Sequence, residues 1–239
     1  MKKISLIIPV YNEENLIEKT VKELDLFIKK QKEPWEIIFV DDGSTDNSLA
    51  ILKNFKPKFF KIISYSKNQG KGFALKKGVF HASGDYIGFT DSDLAYSFEN
   101  LKKVIKPLID FDISIGSRSL SSDNHEKINQ LRRVLGKGFN ILTRILLGFK
   151  FKDTQCGLKA FKSKVAKDLF SKQTIKGFSF DTEILYLAKK KKYTLKETEA
   201  IVLKSHLNKK SKVNLLLDPL KMFLDLLKIR INDLIGKYE

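Results

Sequence analysis

Four times within the first 110 residues the chain repeats one pattern: a short, mostly apolar run, a polar turn, then apolar residues at helical spacing. Ile4 to Val10 opens the series. Glu13 to Lys30 follows, with Leu16, Ile17, Val21, Leu24, Phe27 and Ile28 on one helical face. Trp35 to Val40 leads to a helix over Asn47 to Asn54, which Ser44 or Asp46 is placed to cap. Phe60 to Tyr65 leads to a helix over Gly70 to His81, and Asp85 to Thr90 to one over Phe98 to Ile109. A fifth run, Asp112 to Ile115, ends at Gly116-Ser117-Arg118. Runs that are apolar at consecutive positions, rather than only at every second residue, suit strands buried on both faces. Alternating with helices, they predict an α/β fold with a mostly parallel sheet and helices on both faces.

Such sheets bind ligands at the carboxyl ends of their strands. Those ends carry Tyr11 and Glu13, Asp41 and Asp42, Asn68, Asp91 and Asp93, and Arg118. Most are acidic or polar in a chain whose formal charge is +17, and that contrast argues for a site. Asp91-Ser92-Asp93 closes the fourth run. Two carboxylates there can share a hard cation, which in turn can hold a diphosphate. Asp93 is the first choice of metal ligand, with Asp91 nearer a ribose and diphosphate. Asp41 is placed to accept hydrogen bonds from a base or ribose, or else serves the turn Asp41-Asp42-Gly43-Ser44. Gly70-Lys71-Gly72 does not match a P-loop. Lys71 either approaches a phosphate or is a solvated turn lysine.

The basic balance suits an anionic partner, either a nucleotide, a nucleic acid or an acidic membrane surface, or else is simply a Lys-rich solvated surface. Nucleic acid is disfavoured, because no binding module is visible and acidic strand ends repel phosphate without metal. Cys156 is the only cysteine, so no internal disulfide forms, and it reads as a packing residue. His81, His125 and His206 have no metal-ligand spacing. Met1-Lys2-Lys3 and a run broken at Pro9 do not make a signal peptide, and no stretch reaches about 18 uncharged apolar residues. The expectation is a cytoplasmic protein, soluble or lying on a membrane.

The second half is less regular. Ile128 to Leu147 reads as an amphipathic helix carrying Arg132, Arg133 and Arg144. Asp153-Thr154-Gln155-Cys156-Gly157 is a polar turn before a short strand, Leu158 to Phe161. A helix over Phe180 to Lys190 opens with Asp181 and Glu183 in its first turn, and Thr194 to Leu203 reads as a strand. After a basic loop over Lys204 to Lys212, Val213 to Ile235 is a long amphipathic helix broken near Pro219. Leu215, Leu216, Leu220, Phe223, Leu224, Leu227 and Ile231 form its apolar face, edged by Lys221, Lys228 and Arg230. That face suits a membrane interface, the chain's own sheet domain or a dimer partner.

Ile8-Pro9-Val10-Tyr11-Asn12-Glu13-Glu14, Val40-Asp41-Asp42-Gly43-Ser44-Thr45-Asp46, Asn68-Gln69-Gly70-Lys71-Gly72 and Asp91-Ser92-Asp93 occur in order. Together they resemble the GT-A, family 2 glycosyltransferases. Gly116-Ser117-Arg118, Arg132-Arg133, Gly138-Phe139-Asn140, Asp153-Thr154-Gln155-Cys156-Gly157, Phe180-Asp181-x-Glu183 and Ser211-Lys212-Val213 narrow the resemblance. They are similar to the polyprenyl-phosphate branch, with its dolichyl-phosphate mannose synthases and dolichyl-phosphate β-glucosyltransferases. The resemblance implies a Rossmann-like GT-A domain over 1–212, with a nucleotide-binding half at 1–118 and an acceptor half at 119–212, followed by the amphipathic helix at 213–239. It implies a nucleotide-sugar donor with Mg²⁺ or Mn²⁺. Pro9, Tyr11, Glu13 and Asp41 would contact the nucleoside. Lys71 and Asp91 would complete the donor site, and Asp91 and Asp93 would hold the metal. Arg118, Arg132, Arg133 and Gln155 would meet the acceptor phosphate, and Asp181 and Glu183 would line the sugar or acceptor side. The branch commonly has a tryptophan near Ser205 and a glycine near Lys210, and this chain has neither.

The reaction expected is inverting transfer of glucose or mannose from a UDP- or GDP-sugar to a polyprenyl phosphate, dolichyl or undecaprenyl, at the cytoplasmic membrane face. The alternative is a glycan or other hydroxyl acceptor. A phosphate monoester is already an anionic nucleophile, so it needs orientation and charge neutralisation more than a base. The candidate catalytic residues are therefore Asp93 and Arg118, with Asp153 or Asp181 as base if the acceptor were a hydroxyl.

Overall fold

The computed structural model describes residues 1–55, 57–121, 130–149, 151, 153–203 and 218–239. Its sheet runs β1 (Ile4–Val10), β2 (Trp35–Asp41), β3 (Phe60–Ser64), β4 (Tyr86–Phe89), β5 (Ile113–Ser117), β6 (Lys159–Lys162) and β7 (Leu195–Glu199) in chain order. The spatial order is β3-β2-β1-β4-β6-β5-β7. β6 is antiparallel to both neighbours, and every other pairing is parallel. The helices are α1 (Ile17–Ile28), α2 (Ser48–Asn54), α3 (Lys71–His81), α4 (Phe98–Ile105), α5 (Gln130–Leu147), α6 (Ser163–Lys172), α7 (Phe180–Lys190) and α8 (Asp218–Leu234).

Alternate residues of one strand enter two separate cores, as a sheet covered on both faces requires. Leu6 and Ile8 of β1 pack with α1, α2 and α4, while Ile7 packs with α3, α6, α7 and α8. Thus α8 is not detached: Leu226 and Ile229 lie in the second core, though Leu220, Leu224 and Ile231 on its other side are exposed. β6 belongs to the second half of the chain yet sits between β4 and β5 of the first, so both halves share one sheet.

Several boundaries shift for local reasons. α1 begins at Ile17 rather than Glu13, because residues 12–14 are tied to the next loop: Asn12 N–H donates to Ser44 Oγ, and Glu14 N–H to Asp46 Oδ2. Ser44 therefore does not cap α2, whereas Asp46 accepts from Ser48 N–H in the first turn. α4 stops at Ile105 and tightens into a 3₁₀ turn at Pro107, which has no N–H to continue the α pattern. α6 has no counterpart in the sequence reading. β7 ends at Glu199, and only a single bridge, Tyr96 to Val202, continues beyond it. The loop from Ser205 to Lys210, Ser211-Lys212-Val213, His125, His206, Leu215 and Leu216 lie outside the described residues.

Candidate active site

The strand register brings the expected residues to one edge. β1 pairs Ile7 with Phe89, and Val10 with Asp41. Lys159 of β6 lies between Phe89 and Ile115, so β4 and β5 run parallel at the same level and deliver Asp91 and Arg118 to the same edge. Pro9 lies past the last β1–β4 rung, where no partner on that side asks for its missing N–H.

On the nucleoside side, two loops are laced together. Asn12 Oδ1 accepts from Thr45 N–H at 2.8 Å, and Glu14 Oε2 from Asn47 N–H at 3.0 Å. Glu13 takes Ser48 Oγ at its N–H and accepts from the Ser92 hydroxyl, which ties it to the Asp91–Asp93 turn. Tyr11 is 38% exposed at this edge. Asp41 is buried. Its Oδ2 takes a long 3.4 Å bond from Ser44 N–H, and its Oδ1 has no hydrogen-bond partner among the described residues. An orphaned buried carboxylate oxygen is costly and calls for a donor such as a base N–H or ribose hydroxyl.

Asp42 does structural work that the sequence did not announce. Its carboxylate accepts from Tyr65 O–H, Asn68 Nδ2, Gln69 N–H and Gly70 N–H, at 2.7 to 3.0 Å. These bonds fix the loop that starts α3. Gly70, at φ +100°, leaves no room for a side chain against Lys176 carbonyl oxygen. Lys71 is then the first residue of α3, and its Nζ lies 2.5 Å from Asp91 Oδ1. Burial works against that ammonium, but Asp91, Asp181 and Asp93 outweigh it and raise its pKa.

Asp93 is half-buried, and its Oδ1 accepts from Ala95 N–H at 3.1 Å. Among the described residues no three His, Cys, Asp or Glu side chains gather as a metal cluster. The donor set nevertheless fits a hard cation that brings its own ligands. Mg²⁺ in particular takes one or two carboxylates and completes its shell with substrate phosphates and water. Asp93 has a second oxygen for this, and Asp91 has one if Lys71 gives way.

On the acceptor side, Arg118 is clamped by Asp153: Nε to Oδ2 at 2.7 Å, Nη2 to Oδ1 at 2.9 Å, and the backbone N–H to Oδ2 at 3.0 Å. Burial raises the Asp153 pKa, but Arg118 outweighs it and takes the carboxyl down to about 2. Three hydrogen bonds hold Asp153 against Arg118, and a carboxylate that acidic is a poor base. Gln155 caps the same turn through its N–H to Asp153 Oδ1. Arg132 and Arg133 fall within α5, but their side chains lie outside the described residues. Cys156 is buried, and burial pushes its thiol pKa up, which suits packing rather than reaction.

α7 separates its two acidic residues. Asp181 is buried toward the site, bonded to Lys159 Nζ at 2.7 Å. Glu183 turns away: it accepts from Thr174 N–H and O–H, Ile175 N–H and Tyr238 O–H, and so anchors the C-terminal turn rather than lining the sugar side.

Comparison with known proteins places this geometry. Residues 5–170 match the model of Glycosyl transferase family 2. The chain is 35% identical over 258 residues to a dolichyl-phosphate beta-glucosyltransferase of Saccharomyces cerevisiae, covering 99% of this chain and 76% of that protein. It is 32% identical over 252 residues to the Dictyostelium discoideum protein of the same name, with the same two coverages, 99% and 76%. Among solved structures, glucosyl-3-phosphoglycerate synthase from Mycobacterium tuberculosis superposes with a TM-score of 0.66 at 17% identity, over 97% of this chain and 79% of that one. That crystal contains Mn²⁺, UDP and glucosyl-3-phosphoglycerate. At that identity the likeness is one of fold, and the fold is GT-A. With its GT-A sheet, strand-end carboxylates and near-full-length relatives, the chain belongs to glycosyl transferase family 2.

Proposed function

We propose that this chain moves glucose, with inversion, from UDP-glucose to a polyprenyl phosphate of the dolichyl or undecaprenyl type. The Arg118–Asp153 clamp carries this reading: a guanidinium held in place by a buried carboxylate, on the same sheet edge as Asp91. A pre-oriented guanidinium matches two phosphate oxygens and neutralises an anionic nucleophile without deprotonating it. Arg132, Arg133 and Gln155 complete the acceptor-phosphate site. The names of the relatives favour glucose over mannose. With its carboxyl held at about 2 by Arg118, Asp153 is a poor base for a hydroxyl acceptor, which leaves only Asp181 for that role.

In this reading Pro9, Tyr11, Glu13 and Asp41 hold the nucleoside, and the unpartnered Asp41 oxygen receives a donor from base or ribose. Lys71 and Asp91 meet the diphosphate, and Asp181 faces the hexose. Asp93, with Asp91, would hold Mg²⁺ or Mn²⁺, which neutralises charge on the leaving diphosphate when bound. Residues 1–118 serve the donor, residues 119–212 the acceptor, and residues 213–239 a cytoplasmic membrane face. Membrane contact is supported by exposed Ile141 and Ile145 on α5 and exposed Leu220, Leu224 and Ile231 on α8, the helix packed against it. None of the helices searched is long and apolar enough to cross a membrane. The test is a panel of labelled nucleotide sugars with Mn²⁺ or Mg²⁺ and polyprenyl phosphate. Labelled lipid from UDP-glucose is expected, and no lipid product from any donor would overturn the proposal.

A further inference from the structure

Lys159 is fully buried in the middle of the sheet, a place where an apolar side chain of similar volume would avoid the cost of desolvating an ammonium. Its Nζ donates to the Cys156 carbonyl oxygen and to Asp181 Oδ1, both at 2.7 Å, and lies 5.7 Å from the centre of the Phe89 ring. The register sets Lys159 opposite Phe89, two residues before Asp91. Gly157, which leads into β6, presses against Asp91 Oδ2. Above this floor, the start of α3 packs directly on α7: a side chain on Gly72 would meet Phe180 Cβ at 2.6 Å. Opposite charges therefore alternate from the sheet outward, in the order Lys159, Asp181, Lys71, Asp91.

Lys159 occupies one oxygen of Asp181, and among the described residues no hydrogen bond takes the other. Burial pushes the Asp181 carboxyl up, and the ammonium groups of Lys159 and Lys71 pull it back, while Asp91 adds to the rise. Asp93 also acts on Lys71, the link between the two halves of the chain of charges.

We propose that Lys159 is a positioning residue for sugar transfer: it fixes Asp181 as an oriented anion whose open oxygen accepts a hydrogen bond from a hydroxyl of the donor's hexose. The proposal rests on the UDP-glucose reading above. It goes beyond that reading in making a residue that touches no substrate responsible for recognising the sugar. Removing the cation takes away the hydrogen bond that orients Asp181 and the attraction that opposes the upward push of burial on its carboxyl.

The experiment compares UDP and UDP-glucose binding by calorimetry, with Mn²⁺, in the full chain and in Lys159→Met, Asp181→Asn and the double variant. UDP affinity is expected to stay within about twofold, and the preference for UDP-glucose over UDP to fall by about tenfold or more, alike in all three. The double variant guards against misfolding in Lys159→Met, because it leaves no unpaired buried charge. It should match Asp181→Asn, since Lys159 acts only through Asp181. Lys159→Met should also lose sugar transfer at a higher pH than wild type as the solution is acidified, because a required anion with a raised pKa is protonated sooner. An unchanged UDP-glucose to UDP ratio in Lys159→Met, or additive losses in the double variant, would overturn the proposal alone. No binding of UDP by the wild-type chain would overturn the donor assignment and this proposal with it.

Discussion

Lys71 Nζ rests 2.5 Å from Asp91 Oδ1, so an ammonium sits on a carboxylate oxygen that a divalent cation would use. The first residue of a helix is an unfavourable place for a cation, and Lys71 is held there by carboxylates instead. If Asp91 holds the metal as proposed, lysine and metal compete for it until a diphosphate arrives to occupy both. Mn²⁺ should bind the nucleotide-free protein weakly. Lys71→Met should tighten it by about tenfold in a titration read by electron paramagnetic resonance, while weakening UDP. Equal Mn²⁺ affinity in the two proteins would contradict the competition.

Gly157 lies so close to Asp91 Oδ2 that a methyl group there would overlap it. Gly157→Ala should displace Asp91, and with it Lys71, by a few tenths of an ångström or more. Catalysis tolerates little misplacement of this kind, and losses of about 100-fold follow shifts near 1 Å. The expected result is a clear fall in kcat/KM for the nucleotide sugar with little change in Tm, read from steady-state kinetics and thermal melts on the same preparation.

Glu183 and Asp181 are two residues apart, yet their variants should behave differently. Tyr238 O–H donates to Glu183 at 2.6 Å in a buried setting, which ties the C-terminus to α7. Tyr238→Phe should lower stability by about 1.5–3 kcal/mol, the range for a hydrogen bond to a charged group, and leave UDP affinity within about twofold. Denaturant titration and calorimetry would check both halves of that statement.

Acid should unfold the protein through two carboxylates. Glu36 is buried at the opposite end of the sheet. Burial raises its pKa, but Ser5, Ser83 and Lys61 outweigh it and bring it from 4.5 down to about 2. A folded-state pKa below the unfolded one gives a contribution that is complete above 4.5 and is lost as pH falls through about 2. That interval corresponds to about 3 kcal/mol. Asp153 adds about 2 kcal/mol over the window from 3.8 to about 2. Glu36→Gln should flatten the fall of stability between pH 5 and 2, measured by urea unfolding at a series of pH values; an unchanged slope would contradict this assignment.

The strand ends were legible because β1 to β5 are largely apolar and each closes on a polar or charged group. What the sequence hid is what depends on tertiary neighbours. α6 packs only Val165, Ala166, Leu169 and Phe170 inward, between lysines that dominate its composition. The four residues of β6 give no sign that they run antiparallel between β4 and β5. Lys159 reads as a surface lysine until its two flanking strands are known. Asp153 read as a possible base because its partner, Arg118, is 35 residues away in sequence. Glu183 shares a helix turn with Asp181, and the positions of Thr174, Ile175 and Tyr238 show that it serves the fold.

The most direct measurement offers the purified chain UDP-glucose and Mn²⁺ with either dolichyl phosphate or dolichol, and reads the product's anomeric configuration by NMR. The account predicts glucose on the phosphate alone, in the β configuration. Transfer to the dolichol hydroxyl at a comparable rate, or an α-linked product, would contradict it.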